Sequence, residues 1–228
     1  MQLPFTAEQF FAVFRGYNTA LWPSQLLLLG LAVVATLLVI FPRRWSGVGV
    51  SLILASLWAW IGAVYHLAFF TAINPMAYGF AALSILAALI FLWQGAIRKR
   101  LEFRLTRSGR TGLGILAVIF ALVIYPMWSV ASGHAYPELP TFGLPCPTTI
   151  FTLGILAFLV RPHPRSPLVI PVLWAFIGGQ AAFLLGVPQD AGLIAVGAIG
   201  LVLIGNASKV TRSFGKTVGP GSNYETGP

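Results

Sequence analysis

Fourteen basic residues punctuate this 228-residue chain, and all of them except Arg15 fall in alternate gaps between seven apolar stretches. The stretches run over about 22–42, 47–70, 75–97, 112–131, 146–160, 167–187 and 191–206. Most approach the roughly 20 residues that an α-helix needs to cross a hydrocarbon core. Arg43 and Arg44 follow the first stretch, and Arg98, Lys99, Arg100, Arg104, Arg107 and Arg110 follow the third. Arg161 and Arg165 follow the fifth, and Lys209, Arg212 and Lys216 the seventh. Alternate gaps of a membrane-threading chain share one side, and the side rich in Lys and Arg is cytoplasmic. Removing or adding a span would scatter these charges over both faces, so one pattern sets both the orientation and the count. The expectation is an all-α, seven-helix transmembrane bundle with its N-terminus outside and its C-terminus inside.

Composition agrees. Hydrophobic residues make up 57% of the chain and charged residues 8%, against roughly 25% charged in a soluble domain. In a soluble protein the net charge of +9 would point to nucleic acid. Here the loop pattern accounts for it, which leaves the lipid bilayer as the expected partner, with anionic lipid within reach of loop 98–110. A single cysteine excludes an internal disulfide. Met1 to Leu21 shows neither the basic start nor the long apolar run of a cleavable signal.

Residues 1–21 read as an interfacial amphipathic helix on the outer face, 22–207 as the transmembrane domain and 208–228 as a disordered cytoplasmic tail rich in Gly, Ser and Thr. Thr6 with Gln9 predicts a capping box, and Phe5 with Phe10 a hydrophobic staple. An internal echo is present. Leu57 to Gly62 (LWAWIG) resembles Leu173 to Gly178 (LWAFIG), and Trp22-Pro23-Ser24-Gln25 resembles Cys146-Pro147-Thr148-Thr149. Spans one to three and five to seven would then be parallel repeats joined by span four, a 3+1+3 arrangement.

The residues able to do chemistry gather at the predicted outer ends. The loop from Gly133 to Thr149 carries four prolines, which makes it stiff, together with His134, Glu138 and Cys146. His66 falls inside an apolar span beside Tyr65, where an ionisable group is expensive unless it has a function or a committed partner. Cys146 precedes Pro147 and reads as the N-cap of span five, followed by the hydroxyls of Thr148 and Thr149. Tyr65, His66, Asn74, Cys146, Thr148 and Thr149 therefore form a candidate substrate-binding set, and His66, His134 and Glu138 a candidate metal set. Each has a plainer reading: an interfacial histidine bonded to a carbonyl, solvated loop side chains, a small apolar cysteine. Trp58, Gly62, Tyr65 and Phe69 share a helix face that either packs or offers a stacking wall. Nucleotide-binding glycine motifs, HExxH, GxSxG and CxxC do not occur, and the seventh span has no lysine for a retinal Schiff base.

Three segments, FFAVFRGYNTALWPSQ at 10–25, YHLAFFTAINPMA at 65–77 and TFGLPCPTT at 141–149, resemble a bacterial family of multi-pass membrane proteins of unknown function. That resemblance implies a prokaryotic inner-membrane location. The 3+1+3 arrangement is in turn similar to that of the SWEET sugar transporters, which share the orientation. Their repeat motif centres on a Pro-Gln pair within a helix, whereas Pro188-Gln189 falls in a predicted outer loop. Two functional classes follow. One is a transporter or channel for a small solute or ion. The other is a membrane redox protein in which His66 and His134 hold haem or a metal; the sequence names no cofactor.

Overall fold

The computed structural model describes residues 4–207, so the predicted tail at 208–228 lies outside the described residues. The described residues form eight helices and no strands. They are α1 (Ala7–Ala20), α2 (Ser24–Ile40), α3 (Ser46–Ala72), α4 (Ala77–Ile97), α5 (Gly109–Ala131), α6 (Pro145–Leu156), α7 (Ser166–Leu184) and α8 (Pro188–Asn206). Five of them, α3, α4, α5, α7 and α8, are long and apolar enough to cross a membrane. α1 and α2 together make a sixth candidate, bent by 89° at their junction.

α1 begins as its sequence predicts. The Thr6 N–H donates to Gln9 Oε1 at 2.9 Å, the Gln9 N–H donates to Thr6 Oγ1 at 3.2 Å, and the Phe5 and Phe10 rings stack 6.0 Å apart. Its apolar face does not simply rest on lipid. Phe10, Phe14 and Tyr17 are buried in a cluster with Tyr65 and Phe70 of α3, so α1 is docked onto the bundle.

α2 is apolar all round, yet it buries only Gln25, Leu28, Ala32, Ala35 and Val39, a stripe spaced three and four residues apart. Its other side exposes Leu26, Leu27, Val33, Val34 and Leu37. A helix with one buried seam and an apolar outside is built for lipid. Small residues let the other helices approach closely. α4 buries Ala77, Ala81, Ser84 and Ala88. A Cβ added to Gly200 of α8 would lie 2.3 Å from Val172 of α7.

Three of the long helices widen locally into π-helix, at Ile61–Phe69, Leu92–Ile97 and Phe120–Ile124. The third has a clear cause. Pro126 cannot donate to the preceding turn, and the widened backbone just before it accommodates the missing bond.

α6 is the hub. It packs against α2, α5, α7 and α8, every residue from Pro145 to Leu156 is buried, and Trp58 of α3 donates to its Thr152 hydroxyl at 3.1 Å. Twelve residues span only about 18 Å, short of a ~30 Å hydrocarbon core, although the apolar stretch predicts helix to residue 160. The helix stops because Phe158 to Val160 turn to pair with the connection between α4 and α5. Arg104 N–H donates to Phe158 O at 2.9 Å and Val160 N–H to Glu102 O at 2.8 Å, with Leu101 and Phe103 tucked into the core.

The α2–α3, α4–α5 and α6–α7 connections meet at one end of the bundle, hereafter the basic end. The opposite end carries α1, the 132–144 segment, and the α3–α4 and α7–α8 connections.

Candidate functional site

At the end opposite the basic loops lies a cavity of about 170 Å³, walled by Phe10 and Phe14 of α1, Phe70 and Phe80, and Trp174 of α7, with Cys146 at its floor. An engineered cavity of about 150 Å³ holds benzene, so this space suits a small solute. α1 closes one side of it. Its position is set by the stiff loop. The Asn18 amide donates to Pro137 O and Leu139 O at 2.7 Å each and accepts from Thr141 Oγ1 at 2.6 Å. Arg15 pairs with Glu138, and the His134 ring stacks on Phe11 at 3.9 Å. Arg15, the one basic residue outside the alternating pattern, thus has its counter-charge beside it.

Several polar atoms at this end of the bundle are buried and without partners. His66 is fully buried among the rings of Tyr65, Phe70, Phe80 and Trp174, 5.0 Å from the last, and neither of its ring nitrogens makes a hydrogen bond. Trp174 Nε1, Thr149 Oγ1 and both amide atoms of Gln189 are likewise buried and unpaired. Deeper still, Tyr125 donates to Asp190 Oδ1 at 2.5 Å, and the Cys146 thiol interacts with both groups. Asp190 Oδ2 has no partner, and no basic side chain pairs with this carboxyl among the described residues. Orphaned buried polar atoms cost roughly 1–3 kcal/mol each, and of the residues bearing them Trp174 is the one that lines the cavity, where an occupant could pair with its N–H.

The backbone explains how this space stays open. A Cβ on Gly178 would sit 3.3 Å from Trp174 Nε1, 3.7 Å from Cys146 Sγ and 3.1 Å from Leu193. The glycine lets α7 approach α8 while leaving the thiol and indole facing one gap. His66 and Tyr65 project from the π-helical stretch of α3, a distortion that recurs at functional sites.

The predicted binding residues divide into two groups. Tyr65, Asn74 and Cys146 line the cavity, and His66 stands behind its aromatic wall. Asn74 also accepts from the Met76 N–H at 3.0 Å, closing the turn into α4. Thr149 is buried and unpaired, whereas the Thr148 hydroxyl is occupied, accepting from the Gly143 N–H at 3.1 Å. Cys146 is not the N-cap of its helix. Leu144 holds that position in extended conformation and Pro145 starts the helix, which places Cys146 in the first turn. The metal set His66, His134 and Glu138 is not brought together: His134 and Glu138 fasten α1, and among the described residues no three His, Cys, Asp or Glu side chains could hold a metal ion.

Sequence reasoning did not name Tyr125, Trp174 or Gln189 as site residues. Pro188-Gln189, read as part of a loop, forms the first turn of α8 with Gln189 fully buried. The available signals were a Tyr-Pro pair inside a span and an acidic residue abutting an apolar stretch.

Lipid-facing apolar helices around buried small-residue seams define a multi-pass integral membrane protein. The chain belongs to a family of unknown function (DUF6064), matched across residues 7–214. No curated protein and no solved structure matches it.

Proposed function

We propose that this protein carries a small solute with an apolar body and one polar handle across a prokaryotic inner membrane, through the cavity beneath α1. The observation that carries the reading is an aromatic-walled space to which Tyr65, Asn74, Cys146 and Trp174 bring polar groups, the indole N–H of Trp174 being buried and unpaired. A solute's polar group would bond to one of these while its body stacks on Trp174 and the phenylalanines. Tyr65, His66, Asn74, Cys146 and Thr149 serve as binding residues, with Thr148 holding the loop above.

The reading includes seven crossings, N-terminus outside and C-terminus inside, with α6 as the short fifth. What supports it is the ends at which the connections meet. The 160–162 segment lines the same cavity as 42–48 and 95–104, while 137–141 bonds to α1 at the other end. α6 therefore connects opposite ends despite its length. The 3+1+3 repeat gains support from Gly62 and Gly178, the matching glycines of the LWxxIG echo. Each packs against the helix that follows its own, Gly62 against Ala81 and Ile85 of α4, and Gly178 against Leu193 of α8.

The test is a panel of small amines, alcohols, sugars and carboxylic acids, scored for thermal stabilisation of the purified protein and for uptake into proteoliposomes. A ligand present at a hundred times its Kd adds about 2.7 kcal/mol of stability. The gain should vanish in Trp174→Ala and in Gly178→Val, which fills the gap. A panel that neither stabilises the protein nor enters faster than into empty vesicles would overturn the reading. For topology, a cysteine at Ser108 in a Cys146→Ser background should react only from the cytoplasmic side.

A further inference from the structure

We infer that the basic end of the bundle is a built site for a phosphate-bearing anion. A second cavity, of about 550 Å³, opens there, and Arg43, Arg44, Lys99, Arg100, Arg104 and Arg161 line it from three separate connections. Glu102 is the only acidic residue in its wall, and its carboxylate approaches only Arg104, at 4.0 Å. The other five cations pair with no carboxylate among the described residues.

Retention of positive charge on one side of a membrane explains why these residues sit at one end. It does not explain why they converge. A topology signal works from a loose loop, whereas here the α4–α5 connection folds back into the bundle, burying Leu101 and Phe103. It is bonded to the α6–α7 connection through the Arg104 and Val160 N–H groups, and Arg100 N–H donates to Gln94 O at 2.8 Å. The fit is close. A Cβ on Gly47 would lie 2.3 Å from Leu101 O, and one on Gly95 would lie 1.9 Å from Ser51 Oγ. The first turn of α3, Ser46 to Val48, also faces the cavity and adds the positive end of its dipole. Like charges held together on a fixed frame repel unless an anion joins them, and the arginine fork matches phosphate oxygens in pairs.

Phosphate is common to two sources, the headgroup of an anionic lipid and a soluble phosphoanion. The experiment separates them. Purified full-length protein in zwitterionic detergent is titrated with inorganic phosphate and pyrophosphate, with chloride at matched ionic strength as the reference. In parallel it is reconstituted into phosphatidylcholine nanodiscs with and without phosphatidylglycerol, and retained lipid is read by native mass spectrometry. Stabilisation by phosphate or pyrophosphate beyond that by chloride assigns a soluble ligand, and retained phosphatidylglycerol assigns a lipid. Either supports the site. Arg161→Gln and Arg43→Gln should each weaken binding by roughly tenfold or more, as expected for a lost charge-assisted contact, while Arg107→Gln, outside the cavity, should not. Arg161→Lys, which keeps the charge without the fork and is the gentler change should Arg161→Gln fail to fold, should weaken binding by a smaller factor. The inference is overturned if all anions act alike and no phosphatidylglycerol is retained, or if Arg107→Gln weakens binding as much as Arg161→Gln.

Discussion

Asn18 is the place to test whether the stiff loop positions α1. Replacing it with alanine removes two bonds donated to Pro137 O and Leu139 O and one accepted from Thr141, all at a fully buried position. With a net value of about 1 kcal/mol per hydrogen bond and more where a buried partner is orphaned, the local cost is about 3 kcal/mol. Since 1.4 kcal/mol is about tenfold in an equilibrium, opening of α1 away from the loop should rise about 100-fold. Most of the chain makes no contact with Asn18, so the change should stay local. Amide hydrogen exchange on the purified protein reads this directly, comparing peptides over 7–20 and 133–144 with peptides from α8. Faster exchange in the first two and none in the third is expected. Asn18→Asp keeps the acceptor for Thr141 but loses both donors, and it should reach no less than half the effect. Unchanged exchange over 7–20 would refute the clamp, and equal acceleration in α8 would mean that Asn18 supports the whole fold.

Gly143 has φ +103°, and an added Cβ would lie 2.4 Å from Leu28 Cδ1, so Gly143→Ala should lower stability by about 2 kcal/mol, seen in thermal unfolding in detergent. A Cβ on Gly95 collides with both Oγ and Cβ of Ser51; Gly95→Ala should be destabilising by about 2 kcal/mol, and adding Ser51→Gly should restore most of the loss, whereas Ser51→Ala should not. His163, buried beneath the basic end, has its pKa lowered from 6.5 chiefly by burial, which its bond to Pro164 O opposes in part, with Arg110 and Arg161 each lowering it by a lesser amount. The unfolded chain then binds a proton first as pH falls, so stability is full above about 6.5 and declines from there down to the lowered folded value. A stability–pH curve should show this slope, and His163→Gln should flatten it.

Much of the frame was legible because its causes are local. The capping box and the staple of α1 need only residues three to five apart, and the alternation of charge needs only counting. What escaped depends on partners far along the chain. Arg15 looked anomalous because Glu138 is 123 residues away, and Tyr125 and Asp190 meet across 65. Asn18 looks like any polar residue near a helix end until a loop from the middle of the chain folds over it. His134 and Glu138 show the same thing in reverse, since a histidine and a glutamate with chemical promise have structural partners, Phe11 and Arg15, that no spacing rule pairs with them.

The length of α6 is the most consequential of these non-local effects. Apolarity continues through Leu159 and Val160, and nothing in those residues distinguishes helix from the extended pairing they adopt with 102–104. A helix of about 18 Å falls some 12 Å short of a core of about 30 Å, and other segments fill the space beyond its two ends. At one end the filling is α1 and the 133–144 loop, with Cys146 in the first turn of α6 forming the cavity floor. At the other it is Leu101 and Phe103, and the chain leaving α6 supplies Val160 and Arg161 to the cationic cavity. Continuing α6 as helix in either direction would remove the segments that build these walls. The two candidate sites are therefore both consequences of the short central helix, which keeps the bundle packed through its middle and leaves it open at each end.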